Sequence, residues 1–231
     1  MSIAENIAAV RARMDAAAVR CGRDPKEIKL CAATKMNHAD AVRQAIAAGV
    51  DLCAENRVQE LVQKSALHAY DGKPVHFIGH LQTNKVRQVV GKVDLIQSVD
   101  RVELLACIEK EAARQDLIQD ILLEINIGAE ESKSGFTPEE AKAVAADMER
   151  YPHCRLRGLM AIPPISEKSG SNCRFFEEIQ RIAVDITTKN PHNSSMEVLS
   201  MGMTDDFEDA IACGSTMIRV GTAIFGARHY Q

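Results

Sequence analysis

Eight short apolar runs, each separated from the next by a segment with helical punctuation, predict an α/β fold built on parallel strands. Strands joined by single helices pair through right-handed crossovers, and eight such units close most economically into a (β/α)8 TIM barrel. Two further observations favour the closed form. No Gly-x-Gly-x-x-Gly follows the first run, which removes the usual reason to prefer an open doubly wound sheet. The chain has 231 residues with 46% hydrophobic side chains, enough for one large core, so a single domain over 1–231 is expected.

The elements follow in order. Ser2 and Glu5 form a capping box for a helix whose apolar residues Ile3, Ile7, Val10 and Met14 recur at helical spacing, placing an extra helix ahead of the barrel. That layout is not a signal peptide, and Glu5 with Asp15 argues against a transit peptide. The runs that read as strands are 28–33, 51–54, 75–78, 93–97, 121–127, 156–161, 196–200 and 217–220. Between them, 40–48 reads as a helix closed by Gly49, and Thr137-Pro138-Glu139-Glu140 supplies an N-cap, a first-turn proline and a capping-box acid. A third helix, 205–213, closes at Gly214. The polar, turn-rich stretch 166–172 reads as a loop before a helix holding Phe175 and Phe176.

Composition excludes several function classes. A net charge of -4, no Trp and 4% aromatics argue against a nucleic-acid binder, which would show a basic stripe with interleaved aromatics. Seven cysteines, never spaced as Cys-x-x-Cys, suit a reducing cytoplasm better than a disulfide framework or a zinc site. No apolar stretch reaches the roughly 18 residues a membrane span requires.

In a barrel, whatever follows each strand gathers on one face. Lys35 ends the first run and becomes a candidate nucleophile there, although most lysines beside a strand only mark where the chain meets water. Glu55 and Asn56 follow the second run, Gly79 and His80 the third, and Asn126 with the loop 130–135 the fifth. Met160 stands near the end of the sixth, Ser200-Met201-Gly202-Met203 follow the seventh, and Gly221-Thr222 the eighth. Hydroxyls beside glycines after strands seven and eight are what a phosphate cradle needs. Each has a bland alternative: Gly202 and Gly221 as turn glycines, Ser200 and Asn56 as helix caps. His80 has no second ligand at metal spacing, so it reads as a pocket side chain rather than a zinc ligand. Arg219 lies inside an apolar run and must find either an ion-pair partner or a ligand.

Together, a strand-end lysine and a phosphate cradle describe a pocket for a phosphorylated carbonyl compound held as a Schiff base, and pyridoxal phosphate is the candidate. Arg219 would meet the pyridine nitrogen. An arginine only donates, which leaves the ring a weak electron sink and disfavours broad amino-acid chemistry.

Several strings resemble the signature segments of the pyridoxal phosphate homeostasis proteins (the YggS/PROSC family), nearly end to end. They are Ala33-Thr34-Lys35, Ala54-Glu55-Asn56-Arg57-Val58-Gln59-Glu60, His76-Phe77-Ile78-Gly79-His80-Leu81-Gln82-Thr83-Asn84-Lys85, Glu130-Glu131-Ser132-Lys133-Ser134-Gly135, Ser200-Met201-Gly202-Met203 and Arg219-Val220-Gly221-Thr222-Ala223-Ile224-Phe225-Gly226. The resemblance implies a barrel of the alanine-racemase N-terminal type (fold-type III), with pyridoxal 5'-phosphate on Lys35. It implies that Ser200, Gly221 and Thr222 hold the phosphate, Arg219 meets the ring nitrogen, and Asn56, His80, Met160 and Met201 line the pocket. It further implies a cytoplasmic monomer that stores or delivers the cofactor, with pyridoxal phosphate-dependent apoenzymes as acceptors and without substantial turnover. The chain departs from the pattern at Ala54, where glycine is usual, at Met36-Asn37-His38, where Lys-Pro is common, and at Thr204, where serine is frequent. Two other classes stay open at this point. An amino-acid racemase needs acid/base groups on both faces of the ring, and the sequence offers Lys35 with no matched partner. A phosphosugar enzyme with a catalytic lysine is the other.

Overall fold

The computed structural model describes residues 1–130, 133–164, 170–189 and 192–226. Eight parallel strands close in sequence order, with the last hydrogen-bonded to the first. They are β1 (Lys29–Ala33), β2 (Leu52–Glu55), β3 (Val75–Phe77), β4 (Leu95–Val99), β5 (Gln119–Ile125), β6 (Cys154–Ala161), β7 (Ser194–Ser200) and β8 (Met217–Val220). The helices are α1 (Ile3–Arg20), α2 (Ala39–Ala47), α3 (Val58–Ala66), α4 (Val102–Arg114), α5 (Pro138–Ala146), α6 (Cys173–Lys189), α7 (Phe207–Ala212) and α8 (Thr222–Phe225). The (β/α)8 barrel with an extra N-terminal helix is therefore what forms.

Both expected capping boxes are present, Ser2 with Glu5 and Thr137 with Glu140. α8 is only four residues long, too short to cover its strand. α1 packs against α2, α7 and α8 and covers that side, tied by Asn6 Nδ2, which donates to the Ile224 carbonyl at 2.8 Å.

The differences from the sequence reading have physical reasons. β4 starts at Leu95 rather than 93 and runs on to Val99, because Gln97 and Ser98 are fully buried although polar. β2 extends to Glu55, β5 and β6 begin two residues earlier, and β5 stops at Ile125. α7 begins at Phe207, with Asp206 at the N-cap position, not at 205. Between β3 and β4 stands a 3-10 turn, Thr83–Gln88, instead of a full helix; the branched residues Thr83, Val86, Val89 and Val90 suit the short form. Most of the stretch 166–172, and Glu131 with Ser132 of the loop 130–135, lie outside the described residues.

The core has two layers. A large shell between sheet and helices includes Phe77, Phe176 and Phe207, while the lumen holds two small clusters, one of Cys31, Leu52, Ala54 and Met217 and one of Leu95, Leu122 and Met160. Polar side chains fill the rest of the lumen, and they build the site.

Candidate cofactor site

Parallel strands put all their carboxyl ends on one face, and the expected residues collect there. Lys35 lies two residues beyond β1, Asn56 one beyond β2, His80 three beyond β3 and Gly221 one beyond β8, while Met160 is next to last in β6 and Ser200 closes β7. Lys35 is half-buried and opens a tight turn. Met36 after it adopts φ 61°, the left-handed region that side chains other than glycine avoid. The Asn37 side chain donates to the Lys35 carbonyl at 3.0 Å.

Under this turn lies a buried polar cluster. Glu55, with no exposed surface, accepts at one oxygen from Thr34 Oγ1 (2.5 Å), Lys64 Nζ (2.6 Å) and Tyr70 OH (2.9 Å). Burial pushes the Tyr70 hydroxyl well above its ordinary value, and the Glu55 charge adds to the shift.

A second polar chain crosses the lumen. Arg219 Nη1 donates to the Ser200 carbonyl and hydroxyl, both at 2.6 Å, and Nη2 donates to the Ala161 carbonyl at 2.9 Å. Ser200 Oγ donates to Gln97 Oε1 at 2.6 Å, and Gln97 Nε2 donates to His76 Nδ1 at 2.8 Å. The His76 proton therefore sits on Nε2, and burial pushes its pKa down to about 4 against the opposing pull of Asp94 and Asp120. Glu124 aligns with Met160, and Met160 with Ser200, across β5, β6 and β7, so all three face the lumen in one layer. Burial raises Glu124 to about 7, helped by Asp100 and opposed by Arg219.

Arg219 is 4% exposed, and burial lowers its pKa. Its hydrogen bonds go to neutral oxygens, and it forms no ion pair with any described residue. The ion-pair reading of this arginine finds no partner among the described residues. A buried cation hydrogen-bonded only to neutral groups, with Glu124 and Asp206 acting on it through their charge alone, is a strong pull on an incoming acceptor.

At the rim, Asn56 Oδ1 is buried with no hydrogen-bond partner. Asn56 is not a helix cap, since Arg57 takes that position in front of α3. A buried amide with an idle oxygen suits a polar ligand, accepting as it stands or donating with the amide turned over. Gly79 is obligatory beside it, because a Cβ there would lie 1.9 Å from the Asn56 main-chain oxygen. His80 stands at the mouth, with Nδ1 3.1 Å from Asp100 Oδ2 and 3.5 Å from Ser134 Oγ. No cluster of potential metal ligands occurs among the described residues. Lys133 pairs with Glu130 at 2.6 Å in the neighbouring loop.

At the opposite rim, Gly202 has φ 93°, and a Cβ would lie 2.6 Å from that of Ala210, so more than turn geometry requires glycine here. A Cβ on Gly221 would occupy the space 3.4 Å from the Ala33 carbonyl, directly beside the Lys35 end of β1. Thr222 is exposed next to it, and Met201 is fully buried behind. The residues present thus fit a rod-shaped ligand with an anionic end at Gly221–Thr222, an acceptor atom at Arg219 and an aldehyde at Lys35. Ser200 caps no helix, and its hydroxyl is engaged inside the lumen. Sequence reading missed Gln97, His76, Glu124, Lys64 and Tyr70. The only signal of Gln97, His76 and Glu124 was polarity inside strand-like runs, and Lys64 and Tyr70, on α3 and in the loop after it, read as ordinary surface positions.

The family described as alanine racemase, N-terminal domain, matches residues 2–229. The pyridoxal phosphate homeostasis protein of Escherichia coli strain K12 is 44% identical over 237 residues, spanning 99% of this chain and 98% of its own. The chain belongs to the pyridoxal phosphate homeostasis protein family. The family member of Aquifex aeolicus is 38% identical over 231 residues, covering all of both chains. Among solved structures, PipY of Synechococcus elongatus PCC7942 with PLP bound superposes with a TM-score of 0.84 at 31% identity, over 97% of this chain and 100% of PipY. An alanine racemase of Clostridium difficile 630 has a TM-score of 0.70 at 15% identity, with 58% of its length covered, a likeness of fold alone.

Proposed function

We propose that this protein binds pyridoxal 5'-phosphate as a Schiff base on Lys35 and serves cofactor homeostasis, storing or delivering it in the cytoplasm as a monomeric single domain without substantial turnover. The observation that carries the proposal is Arg219, a buried cation whose hydrogen bonds reach only neutral oxygens, in the lumen beneath a lysine-ended strand. The PLP-bound relative and the names of the curated relatives support the same reading. When bound, the cofactor supplies an aldehyde that condenses with an amine, the nitrogen replacing the oxygen, which leaves as water.

The chain's own residues do the holding. Gly221, Thr222 and Ser200, its hydroxyl turned from Gln97, hold the phosphate; Arg219 donates to the ring nitrogen; Asn56, His80, Met160 and Met201 line the ring. Arg219 keeps its proton, so the ring nitrogen stays unprotonated and carbanion chemistry stays slow. Retention without turnover suits a carrier that passes cofactor to apoenzymes.

The test is reductive trapping. The loaded protein should be yellow, borohydride should fix the adduct on Lys35, and Lys35→Ala should be colourless after desalting. An adduct on another lysine would sink the proposal. Exchange of an amino-acid α-proton from deuterated water at an enzymatic rate would favour the racemase reading instead.

A further inference from the structure

Lys35 is followed by a strained residue, and strain beside a reactive group points to something that holds it. Met36 stays at φ 61° because Glu60 Oε2 accepts its N–H at 2.6 Å. On the other side of Lys35, Lys64 Nζ donates to the Thr34 carbonyl at 2.8 Å. Lys64 Nζ and Glu60 Oε2 are themselves 3.0 Å apart, one turn from each other on α3. A single ion pair therefore grips the main chain one residue before and one residue after Lys35. Its root is buried, because Lys64 also binds Glu55, which Thr34 and Tyr70 hold in turn. Stability is a poor explanation for such a pair, since apolar packing in its place is often as stable. Registration of the backbone is a better one.

We propose that Glu60 and Lys64 are positioning residues for Lys35, holding its turn in the conformation from which the amine meets a phosphate-anchored aldehyde. This rests on the cofactor reading above. Neither residue touches the cofactor; each acts through the main chain.

The test uses the full chain freed of cofactor, with Glu60→Ala removing the acceptor for Met36 N–H and Glu60→Gln keeping an acceptor oxygen. The Glu60 side chain is 17% exposed, so both variants should fold. Imine formation with pyridoxal 5'-phosphate is followed by stopped-flow absorbance. Binding of pyridoxine 5'-phosphate, which has the ring and phosphate but an alcohol in place of the aldehyde, is measured separately. Glu60→Ala should form the imine on the order of 10-fold more slowly or worse, while binding the alcohol within about 2-fold of wild type, because misplacement of a reacting group acts on the bond-forming step. Glu60→Gln should recover most of the rate. If Glu60→Ala condenses at the wild-type rate, or loses rate and alcohol affinity in parallel, the residue is merely structural and the proposal is overturned. An adduct trapped away from Lys35 in wild type brings down the cofactor reading itself, and this proposal with it.

Discussion

Replacing Gln97 by leucine isolates the polar chain across the lumen. Gln97 is fully buried, and its amide satisfies His76 Nδ1 on one side and the Ser200 hydroxyl on the other. Leucine of similar volume fills the space but answers neither group. Each buried polar atom left without a partner costs about 1–3 kcal/mol, and the added apolar contact offsets about 1 kcal/mol. Gln97→Leu should therefore lose roughly 1–5 kcal/mol of stability. Urea unfolding at pH 8, where His76 is neutral in folded and unfolded chains alike, gives that number directly. A loss below about 1 kcal/mol would mean the chain is not a connected network, and the reasoning would fail.

The lumen also predicts two opposed pH responses. His76 is held at about 4 against an ordinary 6.5, so below that value the unfolded chain takes up the proton first and stability falls with pH down to about 4. His76→Asn should lack this loss of roughly 3 kcal/mol at most, read from urea midpoints relative to wild type at pH 4.5 and 7.5. Glu124 is held at about 7 against 4.5, so the unfolded chain loses the proton first and stability falls as pH rises through that window. Glu124→Gln should flatten that arm, and an unchanged slope would show that the carboxyl is solvated. Gly79→Ala forces a methyl onto the Asn56 carbonyl, a clash of main chain that no side-chain rotation relieves, and should cost about 2 kcal/mol or more with loss of cofactor retention. Wild-type thermal stability in that variant would contradict the close approach of β2 and β3.

What the sequence revealed and what it hid follow from how far each group's partner lies along the chain. Lys35 was legible because it ends an apolar run, and Gly221–Thr222 because small residues after the eighth run have few other uses. Arg219 was legible as a charge in the wrong place, although only the structure shows its hydrogen bonds going to neutral oxygens. Gln97 was read as the end of a strand because a buried amide is unfavourable unless satisfied, and its acceptor-seeking partner Ser200 lies 103 residues away. Glu55 was found as a strand-end polar residue, but its role under the Lys35 turn depends on Lys64 and Tyr70, which belong to a helix and the loop after it.

Ring closure has a consequence for how the molecule matures. Cys31 of the first strand pairs with Arg219 of the last, so the strand that leads to Lys35 and the guanidinium of Arg219 become neighbours only when the final rung of the ladder is in place. A chain still emerging from the ribosome has Lys35 long before it has Arg219. On the proposed reading, cofactor capture must wait until the eighth strand has been made, because a nascent polypeptide without it has no closed barrel around the site.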